Sequence, residues 1–214
     1  MLGLPSTTAF DKKIPKQKFY DNLSVSPSLK RVFVEQIQSI IWTNKIAPTT
    51  VNISSGSEVT EIEVFKISLS SDKLDESALL QMDKQIPYHI LFVLEYNDKY
   101  QIWIGFKESS GGDNAFKVNS YYHTEWMEEE KLQINLEGLD MDAVYENLVR
   151  TIGNFEKNNI SLSEQITNNE EMLKLQKQIE QLENKARKET NPRKKFELVQ
   201  KLETFKRRLK KFEP

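Results

Sequence analysis

The chain predicts an α+β fold: an antiparallel sheet of about five strands with three helices, followed by a C-terminal antiparallel coiled-coil helical hairpin. Three observations predict it. Residues 99–107 and 115–126 alternate apolar and polar side chains at the strand period. Residues 27–41, 72–86 and 141–155 repeat apolar residues at the helix period. Beyond residue 171 the apolar residues fall at heptad spacing, in two runs parted by a proline.

Each element follows from local signals. Residues 1–25, interrupted by Pro5 and Pro15, read as an irregular arm that packs Phe19 and Tyr20 on the core and leaves Lys12, Lys13, Lys16 and Lys18 in water. Ser26-Pro27 opens a helix, since Ser caps and Pro suits the first helical position. Phe33, Ile37, Ile40 and Ile41 form its stripe, and it ends near Asn44. The β-branched run 49–53 predicts a short strand and 54–57 a turn. Strand 59–69 breaks its own alternation: Ile62 and Val64 have one parity, Phe65, Ile67 and Leu69 the other. A β-bulge at Val64-Phe65 would bring all five to one face. Leu79, Met82 and Ile86 then mark a helix over 72–85, and Pro87 restarts the chain as strand 88–96, apolar on both faces and therefore central. Asn97-Asp98 is a hairpin turn into Tyr100, Ile102, Ile104 and Phe106. A loop over 108–114 leads to Phe116, Val118, Tyr122 and Trp126, and Leu132, Ile134 and Leu136 suggest one more short strand. Asp140 and Asp142 suit the positive end of a helix that buries Val144, Leu148, Ile152 and Phe155.

These signals divide the chain into a globular domain (1–157), a polar Asn-rich linker (158–170) and a hairpin (171–214). Met172, Leu175, Ile179, Leu182 and Ala186 form one seam; Leu198, Leu202, Phe205, Leu209 and Phe212 form the other. Thr190-Asn191-Pro192 separates them, with Asn as cap and Pro in the first turn. Arms of about three heptads are marginal alone, so they need each other or a partner.

Charge is split along the chain. Residues 185–214 carry twelve Lys/Arg against four Asp/Glu, a net of +8, which leaves −10 in residues 1–184. A folded basic tail on an acidic body grips a nucleic acid backbone, an acidic partner or its own body. There is no Cys, which excludes disulfides, thiolate metal sites and a Cys nucleophile. With no apolar run of membrane-spanning length and no signal-peptide pattern, the expectation is a cytoplasmic protein away from membranes.

Several segments resemble a known family: LysIleProLysGlnLysPheTyr (13–20), TrpThrAsnLysIleAlaProThrThrValAsnIle (42–53), GluIleGluValPhe (61–65), GlnIleProTyrHisIleLeuPhe (85–92) and AsnSerTyrTyrHisThrGluTrp (119–126). They are similar to the bacterial domain-of-unknown-function family numbered 4391. The similarity covers about residues 2–153, and a Lys/Glu-rich helical tail is typical of it. The resemblance implies a setting beside DNA methyltransferases and helicases in restriction or phage-defence clusters. It implies no catalytic residues.

Two constellations stand out. Glu61, Glu63 and Lys66 carry the sharpest enzymatic candidate, a Mg²⁺-dependent nuclease; in a regular strand Lys66 faces away from both glutamates, and only the inferred bulge would unite the three. The plainer reading is the wet face of a half-buried strand. His89 and His123 are the two histidines and make no zinc set without carboxylate help, so no metal or cofactor is assigned. The basic residues are the stronger signal. Arg193, Lys194 and Lys195 sit at the turn, and Lys206, Arg207, Arg208, Lys210 and Lys211 crowd the far end of the second arm. They surround the helix, which favours general electrostatic contact over base reading. The expectation is a non-catalytic accessory protein of a DNA-defence system. Its hairpin would bind a helicase or methyltransferase, with DNA as a second ligand and self-association as an alternative.

Overall fold

The computed structural model describes residues 2–21, 25–109, 116–157 and 160–212. They form two compact units, Met1–Glu156 and Lys157–Pro214.

The first unit is a mixed α+β body on a seven-stranded sheet. The strands are β1 (Ala9–Ile14), β2 (Ile37–Ile46), β3 (Ile62–Leu69), β4 (His89–Tyr96), β5 (Lys99–Ser109), β6 (Phe116–His123) and β7 (Met127–Glu128). They lie in the order β1-β2-β3-β4-β5-β6, with β7 also on β5. Every pair is antiparallel except β3 and β4, which run parallel in the register Glu63↔Ile90 and Phe65↔Phe92. A parallel pair needs a crossover. Here it contains α4 (Glu76–Gln85), the fourth helix after α1 (Gln17–Tyr20), α2 (Pro27–Glu35) and α3 (Pro48–Val51).

One face of the sheet buries Ile40, Phe65, Ile67, Phe92 and Leu94 with Phe19 and Phe33 of α1 and α2 and with Leu79 and Met82 of α4. Helix α5 (Met141–Gly153) contacts β5 and β6. Asp140 caps α5 by accepting from Ala143 N at 2.9 Å. Asp142, in its first turn, accepts from Ser57 N, Ser57 Oγ, Glu58 N and Val59 N at 2.7–3.1 Å, and these bonds hold its carboxyl below the usual range despite partial burial. Gly56 is required in that turn, because a Cβ there would meet Asp142 Oδ1 at 2.1 Å.

Several expectations are corrected. The helix opened by Ser26-Pro27 stops at Glu35, and residues 37–46 are strand β2. Two register shifts in the β2–β3 ladder, between Ile37 and Ser39 and between Trp42 and Asn44, bury residues 37, 40, 43 and 46. A doubly bulged strand thus copies a near-helical period. The bulge inferred at Val64-Phe65 belongs to the partner strand, where Thr43 is the extra residue and its hydroxyl donates to Val64 O at 3.2 Å. Strand β3 keeps regular alternation, and both its faces are covered. The run 49–53 is not a strand, since Pro48 opens the one-turn α3. The arm contributes β1, an exposed edge strand. Its Lys16 is not simply solvated; its ammonium donates to Val34 O at 3.2 Å and Ile37 O at 2.6 Å, neutralising the end of α2. The strand expected at 132–136 reduces to the bridge Leu2↔Gln133. The loop at 108–114 lies mostly outside the described residues.

The second unit holds α6 (Leu162–Lys188) and α7 (Pro192–Leu209), which pack on each other. The segment 158–170, expected as linker, is helical from Leu162 onward because Ser161 caps it, accepting from Glu164 N at 3.2 Å. Asn191 caps α7, accepting from Arg193 N at 3.0 Å and Lys194 N at 3.3 Å. Leu175, Ile179 and Ala186 of α6 are buried; Leu182, Leu198, Leu202, Phe205 and Leu209 are half-buried.

Candidate functional site

At the N-terminal ends of the parallel pair, a cavity of about 330 Å³ is lined by β1, α1, β2, β3 and the α4–β4 connection. Glu63 lines it and is 1% exposed. It shares its sheet face with Phe65 and Ile67, by strand alternation. Among the described residues no group donates to Glu63 within hydrogen-bond geometry; its polar neighbours are Glu61 and Trp42, whose indole N–H donates to Asn44 O at 2.9 Å. Burial first, and the neighbouring Glu61 second, push this carboxyl up to about 9, so it is protonated at neutral pH. Glu61 instead pairs with Lys45, the residue opposite Glu63 on β2, and that contact raises the Lys45 ammonium. Trp42 and Phe65 meet edge to face at 6.1 Å, and Phe10 lies 4.0 Å from Trp42. Lys12, Lys18, Gln85, Pro87 and Tyr88 are the exposed members of the lining.

Lys66 does not join the glutamates. It sits on the other face of β3 and pairs with Glu95 at 3.2 Å. Ser68 donates to the same carboxylate at 2.8 Å, and these partners hold Glu95 low against the opposing effect of burial. The triad Glu61, Glu63 and Lys66 is therefore not assembled, because the strand has no bulge of its own. Among the described residues no three His, Cys, Asp or Glu side chains group to hold a metal ion.

A second buried cluster had no sequence signal. Asp83 of α4 and Lys107 of β5 form an ion pair at 2.8 Å with both side chains almost wholly buried. Tyr121 of β6 donates a short hydrogen bond to the same carboxylate, and Lys107 also donates to Tyr88 O at 2.6 Å. Burial pushes Asp83 up, against the pull of Lys107 and Tyr121. On β4, His89 packs edge-on against Tyr145 at 4.3 Å, and burial, helped by Lys107, drives its imidazole down to about 3. His123 instead stacks on Trp103 at 4.3 Å, with Gln101 Nε2 3.0 Å from its Nδ1.

In the second unit, Arg193, Lys194, Lys195, Lys206, Arg207, Arg208, Lys210 and Lys211 are all exposed. Lys206 pairs with Glu183 of α6 at 2.6 Å. The other seven have no acidic partner among the described residues. Helix α7 buries none of its residues, and Phe196 is 63% exposed. Beside the α7 cap, a groove is lined by Lys185, Lys188, Lys194 and Lys201 with Glu189 and Glu197.

Fold and sites together define a mixed α+β protein with a secluded carboxyl in its sheet and a cationic helix pair at its C-terminal end. The chain belongs to the family described as Domain of unknown function (DUF4391), whose model matches residues 2–209. Comparison with curated proteins and with solved structures returns no match. No helix among the described residues is long and apolar enough to cross a membrane.

Proposed function

We propose that this protein is a non-catalytic accessory subunit of a bacterial DNA-defence system, and that α6–α7 is its docking handle for a helicase or methyltransferase partner. The observation that carries the reading is α7 itself. It is an 18-residue helix with no buried residue, and seven of the eight cations named above lack an acidic partner among the described residues. Its apolar seam is closed on one side by α6 and stays half-exposed, as expected of two coiled-coil strands waiting for further helices or an acidic surface. The family resemblance supplies the setting, and the charge split supplies the mode of contact.

The test uses the full chain with these eight cations changed to Ser, beside a truncation lacking 171–214. Both lose co-purification with the neighbouring helicase or methyltransferase. Retained co-purification refutes the docking role. If DNA is the ligand, engagement of about six phosphates gives a log–log salt slope near −5, whereas a protein partner gives a shallow one. Sizing at low and high salt separates self-association from both.

The nuclease alternative now rests on Lys45, because Lys66 faces away. Two carboxylates with no third ligand nearby fit a divalent cation poorly. Mg²⁺-dependent cleavage of DNA by the full chain, abolished by Glu61→Ala, would restore it.

A further inference from the structure

We propose that the cavity at the N-terminal ends of β3 and β4 binds a small aromatic acid, with its ring against Trp42 and its carboxylate on Lys12 and Lys18. The inference concerns the body alone and is independent of the hairpin reading.

The cavity, of about 330 Å³, lies within the usual range for small-molecule pockets. Its walls are mainly apolar: Ile14, Phe19, Trp42, Phe65, Ile86 and Pro87. Such surface gains by meeting an apolar body instead of water. Strand register fixes the aromatic part, because Trp42 pairs with Phe65 and directly opposed residues share a sheet face. Phe10, 4.0 Å from the Trp42 ring, and Phe65, edge-on at 6.1 Å, hold the indole in place. A fixed ring plane favours a flat, rigid partner over a chain that must lose its rotamer freedom. Charge specifies the other end of the ligand. Lys12 pairs with Trp42 across β1 and β2, so the register that places the indole also places this ammonium beside it. Lys18 reaches the cavity from α1. Both lysines are exposed, and neither has an acidic partner among the described residues. No negative charge of the lining offsets them: Glu63, its one acid, has both carboxyl oxygens shut from solvent and keeps its proton. Gln85 donates its amide to Phe19 O at 3.1 Å. Apolar walls with two unpaired cations and no facing anion select an organic anion with a flat apolar body, and they reject a cation.

The experiment titrates the full chain with indole-3-acetate, its neutral amide, tryptamine and octanoate, read by calorimetry and by ligand-detected NMR. Indole-3-acetate should bind with a Kd of about 0.1–1 mM, the range a ligand of this size reaches. The amide should bind about fivefold more weakly, the effect of two exposed cations, and tryptamine more weakly still. Octanoate should bind at least about threefold more weakly than indole-3-acetate, because its chain is flexible. The surface variant Lys12→Ala/Lys18→Ala should bring indole-3-acetate down to the affinity of the amide and leave the amide unchanged. Lys13→Ala removes an exposed cation from the opposite face of β1 and should change neither. Trp42→Leu should weaken acid and amide alike by about fivefold. The lysine variants leave the core untouched and keep the test decisive if Trp42→Leu does not fold. Equal affinity for acid and amide, an equal loss in Lys13→Ala, tighter binding of octanoate, or no saturable binding up to about 10 mM overturns the proposal. A peptide ending in Gly-Gly-Trp with a free carboxylate serves as a last probe. If it binds tighter than indole-3-acetate, the site belongs to a protein terminus and the assignment to a free acid fails.

Discussion

Two carboxyl groups are buried in the same body and are treated in opposite ways. Asp83 is given a lysine, a tyrosine hydroxyl and a place in a network that ties α4 to β5 and β6. Glu63 has no such partners: the indole N–H of neighbouring Trp42 donates to Asn44 O, and Lys45 is paired with Glu61. A buried charge is tolerated when paired, and an unpaired acid keeps its proton instead. The contrast separates a polar group that holds the fold together from one that burdens it. Only the second needs a role outside stability.

The largest effect should come from breaking the partnered group. Asp83→Ala leaves Lys107 buried and uncompensated, and should destabilise the protein by about 3–5 kcal/mol in urea denaturation. The double variant Asp83→Leu/Lys107→Met should recover most of that loss. If it is no more stable than Asp83→Ala alone, the pair is not the source of the effect.

A pH series sharpens the comparison from the other side. The folded value of Glu63, about 9, lies above its ordinary 4.5, so the folded protein keeps a proton that the unfolded chain sheds. Stability from this group is full below 4.5 and declines as pH rises toward 9, by at most about 1.4 kcal/mol per pH unit. His89 runs the opposite way: its folded value of about 3 lies below its ordinary 6.5, so stability is full above 6.5 and is lost as pH falls toward 3. The two slopes oppose each other between 4.5 and 6.5 and predict a plateau there. Glu63→Gln should remove the alkaline decline and leave the acid limb intact. An unchanged alkaline limb would mean that Glu63 is ionised in the folded state.

The smallest effect belongs to the exposed Lys206–Glu183 pair. Lys206→Ala should leave the denaturation midpoint unchanged within error, because solvent-exposed ion pairs add little. A clear shift would show that the contact between α6 and α7 is more than a surface pair.

Much of the body was legible in the sequence. Tyr100, Ile102, Ile104 and Phe106 alternate because one face of β5 meets the core, and Asn97-Asp98 adopts the positive φ angles of its turn. Asp140 and Asp142 announced the start of α5 by suiting its positive end, and Asn191 with Pro192 announced the start of α7. β2 was hidden because its register shifts spread the isoleucines at helical spacing. β1 was hidden because an exposed edge strand has no buried face to impose alternation. The candidate site was legible only in part. Glu61 and Glu63 drew notice as carboxylates on a strand, but Lys45 and Trp42 reach them from β2, and strand pairing cannot be read from local pattern. Asp83, Lys107 and Tyr121 come from three elements and meet only after the sheet is assembled.

The single parallel pairing has a kinetic consequence. The β4–β5–β6 ladder pairs near neighbours, such as Tyr96 with Lys99, whereas the parallel β3–β4 pair joins Ile62 to His89 across the α4 crossover and β1–β2 joins Ala9 to Asn44. Contacts between sequence neighbours close early, and those spanning a long excursion close late. The chain should therefore form the β4–β5–β6 meander first and add β3, β2 and β1 afterwards. Glu63, on β3, is therefore shut away only after that meander has formed.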